Sequence, residues 1–495
     1  MQIPAKIISN LQKNSICVLG LGQEGLSTYR FLRWHLPEKK LTIADQKKLE
    51  QLPAEVQAEL NADTKLNFIG GDNQYLSNLN QFDLIFKTPG IPLHLPQIQE
   101  VQQQGVVISS NLQLFFEIIE AWKQKLQSKL EVGIDDKSST LLQPITIGVT
   151  GTKGKSTTTA LIHHVLSKNG QDSVLVGNIG QPALDRINQI TSKGKLVIEL
   201  SSHQLDQLKI SPDIAVIQRV VAEHLDYYPN PEAYYASKQA ITKYQKVNQY
   251  VIYNPQWQHT RELATLSQGK KLTFQLNSHH NSDILVYVKS YYLTYRDSKH
   301  EDQIITLTDI PLLGKHNLNN VAPAIIVGKL LGLSGAQIGQ AMHTFKPLPH
   351  RLEKVTEKNG ILYVNDSLAT MPDAAIAALE TFKDRPVILL AGGHERHQDY
   401  SGLASTILKN QIKALALFPE NGRRLQHEVE KQAQALNQSA PPSKIVQSMP
   451  EAFEFIQQHV QAGDVVLLSP GAASFGVFKN YKDRGEQFCQ LAQGA

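Results

Sequence analysis

Cysteine is nearly absent from this 495-residue chain, and the two present, Cys17 and Cys489, lie at opposite ends. That is no disulfide framework, and it fits a reducing cytosol. Long apolar runs are missing too. None approaches the ~18 residues a membrane helix needs, and the first residues, Met-Gln-Ile-Pro-Ala-Lys, carry no signal-peptide core. The expectation is a cytoplasmic protein without membrane insertion. Neither sign of charge dominates: 49 Lys and Arg stand against 45 Asp and Glu, a net +4. This mild balance suits anionic substrates but is not clustered enough to argue for nucleic acid. No repeat of fixed period is evident. What is present is ordinary for soluble globular protein, with 41% apolar residues. A soft prior of about 150 residues per domain gives roughly three domains.

The densest signal is Gly-Val-Thr-Gly-Thr-Lys-Gly-Lys-Ser-Thr at 148–157. A β-branched run, Ile145-Thr146-Ile147, leads in, and a helical stretch, Thr158 to Ile162, leads out. Strand, glycine-rich turn and helix make a phosphate cradle. Gly151 and Gly154 let backbone N–H groups close around phosphate oxygens. Lys155 would reach the terminal phosphates, and the Ser156 hydroxyl would hold Mg²⁺. The helix N-terminus adds attraction for the anion. Val149 stands where the common spacing wants glycine, so the loop is a variant. ATP or GTP use is the expectation.

Three α/β segments surround this loop. The first opens with strand Ser15–Leu19, the turn Gly20-Leu21-Gly22-Gln23-Glu24-Gly25, a helix from Leu26 to Trp34, and a second strand ending at Asp45. An acid about 20 residues beyond such glycines can meet a ribose. A third strand, Asp83–Phe86, runs into Lys87-Thr88-Pro89-Gly90-Ile91. Residues 122–144 read as helix followed by a surface loop. The second segment has strands at 173–176, 196–200, 214–217 and 250–253, and residues 270–312 look like an added antiparallel section. Lys346-Pro347-Leu348-Pro349 reads as a hinge. The third segment has strands at 362–364, 387–390, 414–417 and 465–468. We expect domains at 1–110, 111–346 and 347–495. Glu199 ends a strand, where its carboxylate can face a metal held by Ser156, or cap a helix through Ser201. Glu223-His224-Leu225-Asp226 follows a strand, and Lys238 lies 14 residues beyond His224. Taken singly, these residues are as readily surface or capping groups.

In combination they are more specific. Thr150 to Ser156, Glu199 to Leu205, His224-Leu225-Asp226 with Lys238, Gly314 to Asn320, His350 to Glu353, Asn365-Asp366-Ser367 and Leu468 to Ser474 occur in that order. The set resembles the Mur ligases of peptidoglycan synthesis, over essentially the whole chain. The tail from Ser474 to Gly485 is most similar to the branch that adds glutamate to UDP-N-acetylmuramoyl-L-alanine.

The resemblance implies a three-domain α/β enzyme: a Rossmann-like N-terminal domain binding UDP, a central P-loop ATPase domain with a mostly parallel sheet, and a Rossmann-like C-terminal domain binding glutamate. It implies ATP-dependent ligation through an acyl phosphate, with UDP-N-acetylmuramoyl-L-alanine and D-glutamate as substrates, in a monomer using two Mg²⁺ ions. Gly151, Thr152, Lys153, Gly154, Lys155, Ser156 and Thr157 would hold the triphosphate. Asn317 and Asn320 would contact adenine, with Arg351 and Asp366 reaching the nucleotide from the third domain. Ser156, Glu199, His224 and Lys238, the last as a carbamate, would ligate metal, and Lys155, Glu199, His224 and Lys238 would form the catalytic set. Gly22, Gln23, Glu24, Asp45, Thr88, Gly90, Asn178, Ser201 and Gln204 would bind the UDP-sugar.

Thr370, Arg396, Ser474, Phe475 and Tyr481 would line the glutamate pocket. Here the chain departs from the family pattern. Leu368 stands where many relatives have lysine, and Gly392-Gly393-His394-Glu395-Arg396 replaces Gly-Gly-Asp-Gly-Lys. Arginine in place of lysine brings planar, bidentate geometry. These changes resemble a subgroup that adds L-glutamate, which is the alternative substrate. Other readings are a folylpolyglutamate synthase-like ligase, which the first segment and the tail argue against, and an NAD-dependent oxidoreductase built on Gly20–Gly25, which leaves the second phosphate loop unexplained. A non-catalytic nucleotide-binding scaffold conflicts with intact Lys155, Glu199, His224 and Lys238.

Overall fold

The computed structural model describes residues 3–72, 74–130, 143–276 and 284–494. These fold around three β-sheets in a three-domain α/β architecture. The chain divides into two compact units: Met1–Leu307 with Asn319–Met342, and Thr308–Leu318 with His343–Ala495.

The first unit holds two sheets. One contains β1 (Ile16–Leu19), β2 (Leu41–Asp45), β3 (Leu66–Gly70), β4 (Leu84–Lys87) and β5 (Val107–Ser109), in the order β3-β2-β1-β4-β5 and parallel throughout. Strand order reverses between β1 and β4, so the turns leaving those two strands flank the crevice where open α/β sheets take ligands. Those turns are Gly20–Gly25 and Thr88–Ile91. They are packed tightly: a Cβ on Gly25 would lie 2.0 Å from the Gly20 carbonyl oxygen.

The second sheet contains β6 (Ile145–Thr150), β7 (Ser173–Gly177), β8 (Lys195–Glu199), β9 (Ile214–Ile217), β10 (Tyr250–Tyr253), β11 (Lys270–Phe274), β12 (Leu285–Lys289), β13 (Tyr292–Arg296) and β14 (Glu301–Thr306), in the order β14-β13-β12-β11-β10-β9-β6-β8-β7. The 270–312 expectation needs correction. β11 pairs parallel with both β10 and β12; only β12–β13 and β13–β14 are antiparallel. The helix Gln258–Thr265 between β10 and β11 is the crossover that parallel pairing requires.

A 20-residue helix, Asn111–Leu130, ties the two sheets together. Asn111 Nδ2 donates to Ser27 Oγ and Thr28 Oγ1, both at 3.1 Å, on the helix that follows β1. At the other end Lys123 Nζ donates to Asp213 Oδ2 at 2.6 Å, and Asp213 also accepts from the Thr146 amide at 2.8 Å. One apolar cluster runs through Tyr29, Phe115, Phe116, Leu184, Ile187 and Ile198. The loop expected after this helix, at 131–142, lies outside the described residues.

The second unit is built on β15 (Glu353–Lys358), β16 (Ile361–Asn365), β17 (Val387–Gly392), β18 (Ile412–Phe418), β19 (Ser443–Ile445) and β20 (Val465–Leu468), in the order β15-β16-β20-β17-β18-β19. All pairs are parallel except the β15–β16 hairpin. Apolar clusters pack on both faces, as the near-continuous Val/Leu/Ile strands require.

Candidate active site

The variant phosphate loop forms as the sequence reads. β6 delivers Gly151–Gly154 to the N-terminus of the helix Lys155–Lys168. Gly154 holds φ +86°, and a Cβ there would sit 2.3 Å from Asn320 Oδ1, so no side chain fits. The Thr152 amide donates to the Arg219 carbonyl at 2.7 Å, and Lys155 Nζ donates to the Thr152 carbonyl at 3.0 Å. Lys153 pairs with Glu223 at 2.9 Å. Thr157 is buried in the first turn of the helix, and the neighbouring Thr158 Oγ1 donates to the Asn320 carbonyl at 3.2 Å.

β8 lies beside β6 with Val149 in register with Glu199. That register carries the Glu199 carboxylate to Ser156, whose hydroxyl donates to Oε1 at 3.1 Å. Asn178 Nδ2 donates to the same oxygen at 3.1 Å. Glu199 is only 1% exposed, and its Oε2 has no hydrogen-bond partner. An orphaned buried carboxylate oxygen beside a loop hydroxyl is a donor set that suits a hard divalent cation. Among the described residues no group of three His, Cys, Asp or Glu side chains stands close enough to hold a metal.

A cavity of about 340 Å³ opens beside this pair, lined by Lys155, Asn178, Ser201, Gln204, His224 and Lys238 and, from the first sheet, by Glu24, Pro89 and Gly90. Gln204 Nε2 donates to Glu24 Oε1 at 2.5 Å, closing one side. Gln204 is itself set by a reciprocal cap with Ser201, the helix start that follows Glu199. Tyr227 Oη donates to the carbonyls of Pro89 at 3.0 Å and Ile91 at 3.1 Å. Lys87, 1% exposed, donates to the Thr88 carbonyl at 3.0 Å and to that of Ile91. Burial pushes its pKa down to about 7.

Lys238 is the most deeply held cation of the cavity, at 1% exposure. Its Nζ lies 4.7 Å from the Tyr234 ring centroid and 3.4 Å from the Gly151 carbonyl oxygen. Burial, then Lys155, push its pKa well below the usual lysine range, and Glu223 only partly opposes them. His224 holds φ +58°, a strained conformation for a non-glycine residue, and its Nε2 is 3.7 Å from Glu223 Oε2. Its ring meets that of His203 at 4.9 Å between centroids. Burial lowers the pKa of both imidazoles, that of His203 to about 4, so the neutral forms prevail near neutral pH.

The remaining candidates fall elsewhere. Gly22 and Gln23 are exposed at the start of the helix Gln23–His35. Asp45 accepts from the Leu21 amide at 2.5 Å and the Lys47 amide at 2.8 Å, which shapes the glycine turn. Thr88 Oγ1 donates to the Leu19 carbonyl at 3.2 Å and packs against Gly20.

In the second unit, Asn317 Nδ2 donates to the Leu313 carbonyl at 2.6 Å. Asp366, directly after β16, accepts from the amide of Leu352, the residue after Arg351, at 3.1 Å and from Ser469 Oγ at 2.8 Å. Burial raises its pKa to about 7 against the pull of these bonds and of Arg351. The Thr370 amide donates to the Leu368 carbonyl at 2.9 Å. Ser474 is buried, Arg396 is exposed and Phe475 is 51% exposed. The Tyr481 ring meets that of His350 at 5.8 Å.

Sequence reasoning did not assign roles to His203, Glu223, Tyr234, Lys87 and Arg484. Tyr234 had a usable signal, since it lies four residues before Lys238 and shares its helical face. Lys87 had none, because only burial sets it apart from surface cations; Arg484 lies in the tail that carried the family resemblance, but nothing local assigned it a role.

A phosphate loop with a neighbouring strand-end carboxylate, opening on a cation-rich cavity walled by a Rossmann-like sheet, defines a nucleotide-dependent α/β enzyme. Comparison with known proteins narrows the class. The Mur ligase MurD-like N-terminal domain matches residues 14–110, the Mur ligase middle domain 149–328, and the Mur ligase glutamate ligase domain 350–471. The chain is 31% identical over 484 residues to the UDP-N-acetylmuramoylalanine–D-glutamate ligase of Acetivibrio thermocellus, covering 97% of this chain and 96% of that one. It is 30% identical over 476 residues to the protein of the same name from Symbiobacterium thermophilum, covering 96% and 97%. Among solved structures, MurF from Acinetobacter baumannii shares the fold with a TM-score of 0.59 at 14% identity, covering 100% of this chain and 99% of that one. MurC from Thermotoga maritima does so at 0.53 and 16%, covering 97% and 99%. The chain belongs to the Mur ligase family of ATP-dependent amino acid ligases.

Proposed function

We propose that the protein joins D-glutamate to UDP-N-acetylmuramoyl-L-alanine at the expense of ATP, in the synthesis of peptidoglycan precursors, as a cytoplasmic monomer. The observation that carries this reading is the single cavity in which Lys155, His224 and Lys238 face Glu24, Pro89 and Gly90 from the first sheet. A phosphate loop and the mouth of a Rossmann-like crevice share one chamber. On this reading residues 1–110 bind the UDP moiety, 111–346 bind ATP and 347–495 bind the amino acid.

The chemistry follows from the weakness of a carboxylate as an acylating agent. An alanyl carboxylate oxygen attacks the γ-phosphorus of ATP, and ADP leaves. The amine of glutamate then adds to the acyl carbon, and orthophosphate leaves with the C–O bond electrons while the amine loses its proton. Lys155 and the loop amides offset the negative charge that builds on the transferring phosphoryl group. Ser156 and Glu199, with its free Oε2, are the residues that would hold one Mg²⁺, with His224 and Lys238 toward a second; the ions would neutralise phosphate charge. Lys238 is buried, its pKa is pushed well below the usual lysine range, and among the described residues no carboxylate forms an ion pair with it. Such an amine adds CO₂ with loss of a proton, and the resulting carbamate supplies the anionic oxygen a hard cation prefers.

The test is incubation with ATP, Mg²⁺, UDP-N-acetylmuramoyl-L-alanine and each glutamate enantiomer, followed by product mass. The D-enantiomer yields the UDP-muramoyl dipeptide with one ADP per bond. Product from L-glutamate alone would transfer the reading to the other stereoisomer, and no product from either would end it.

A further inference from the structure

Arg484, the fourth residue of the helix Tyr481–Gly494, is the largest fully buried side chain of the described residues. Its Nε donates to Ser367 Oγ at 3.0 Å, and its Nη2 to the carbonyls of Ser367 at 2.8 Å and Ala472 at 3.1 Å. Nη1 has no acceptor. A Cβ built on Gly393 would lie 3.3 Å from Nη1, so this free N–H group borders the Gly392–Gly393 turn. One guanidinium therefore meets the loops leaving β16, β20 and β17. The loops are cross-linked further: Ser367 Oγ donates to the Tyr481 carbonyl at 2.7 Å, and the His394 amide donates to the Ala473 carbonyl at 2.8 Å.

No carboxylate forms an ion pair with this buried cation among the described residues. Asp366, one residue from Ser367, is committed to Leu352 and Ser469. A buried charge without a counter-charge is strongly unfavourable. Burial lowers the Arg484 pKa to about 9, which leaves it charged at neutral pH. Each loop it ties also carries a residue of the proposed amino-acid pocket: Thr370 beyond Ser367, Ser474 beyond Ala472, and Arg396 beyond Gly393.

We propose that Arg484 is a specificity-determining positioning residue, which locks these three loop ends in register and supplies the fixed positive charge that selects an amino acid bearing a second carboxylate. This rests on the reading of the second unit as the glutamate-binding domain. On this proposal Arg484 acts through the loops and through its field.

The test uses the full-length enzyme and its Arg484→Met and Arg484→Lys variants, with saturating ATP and UDP-N-acetylmuramoyl-L-alanine. KM and kcat are measured for glutamate and for glutamine, and acyl phosphate is trapped by borohydride without any amino acid. Arg484→Met should raise the KM for glutamate at least tenfold, cut the preference for glutamate over glutamine by a similar factor, and leave acyl-phosphate yield unchanged. Arg484→Lys, which keeps the charge but not the fork, should keep most of the preference while KM rises. Equal losses toward both amino acids, or loss of preference in Arg484→Lys as complete as in Arg484→Met, would overturn the proposal. If Arg484→Met does not fold, Arg484→Gln carries the same expectation. Failure of the wild type to ligate glutamate would strike the underlying reading instead, so the two failures are distinguishable.

Discussion

The cavity of the first unit and the loop cluster of the second handle charge in opposite ways. In the cavity, ionisable groups crowd together. Lys155, Lys238, His203, His224 and Glu223 perturb one another, and burial drives Lys238 and both imidazoles toward neutrality. In the second unit Arg484 is buried with no ion pair among the described residues, Asp366 is buried against its preference, and Arg396 is exposed. Crowding lets small changes in ligation reset several pKa values at once, which suits phosphoryl chemistry. A buried cation held by carbonyls and a hydroxyl is a fixed landmark, which suits recognition of a small ligand.

The largest test of this contrast is Lys155→Ala. Loss of the loop cation should lower turnover at least ~10³-fold, because the stabilisation of phosphoryl charge is lost. Near-normal acyl-phosphate formation in this variant would show that the crowded cavity is not the phosphoryl site. Next, Lys238→Ala should cost roughly 100-fold, as removal of a group that supports a metal does. Formate or acetate should restore part of the rate by standing in for a carbamate; a variant of full activity would remove Lys238 from the reaction.

Asp366→Asn tests the buried groups of the second unit through stability. Burial raises the folded-state pKa of Asp366 to about 7, above the ~3.9 of an unfolded aspartate. The stabilisation it gives is complete below about pH 4, declines as pH rises through the folded pKa, and is absent above about pH 8. The wild-type side chain thus becomes a burden at high pH. Asn removes that burden, so denaturant unfolding should show the variant stabilised relative to wild type by on the order of 2 kcal/mol more at pH 8 than at pH 4. A difference that does not vary with pH would mean the carboxyl is not held neutral. The smallest effect is expected of Phe475→Ala. At 51% exposure it should shift stability within ~0.5 kcal/mol, while the KM for glutamate rises several-fold; an unchanged KM would take Phe475 out of the pocket.

Much of the fold was legible because periodicity was strong. The strands at 214–217 and 250–253 fell where the apolar β-branched runs placed them. β3, with Asn67 and Gly70 among its five residues and no fully buried side chain, showed no such run and was missed. β15, Glu353–Lys358, was missed for the same reason, since an edge strand of alternating charge reads as a polar loop. Pairing direction was also illegible for β11, because the sense of a strand depends on which element it returns beside. In the site, Lys155, Ser156 and Glu199 could be read from local spacing. The Gln204–Glu24 bond spans 180 residues and could not.

By itself, then, the chain determined its phosphate loop, its strand-rich α/β organisation and its family. Those depend on short-range steric and hydrogen-bonding rules that act within a few residues. Only the tertiary structure decided that Lys87, Lys238 and Arg484, cations of unremarkable local context, are buried, and which carbonyls and rings surround them. Desolvation is a property of everything packed around a charge, and no stretch of neighbouring residues contains it.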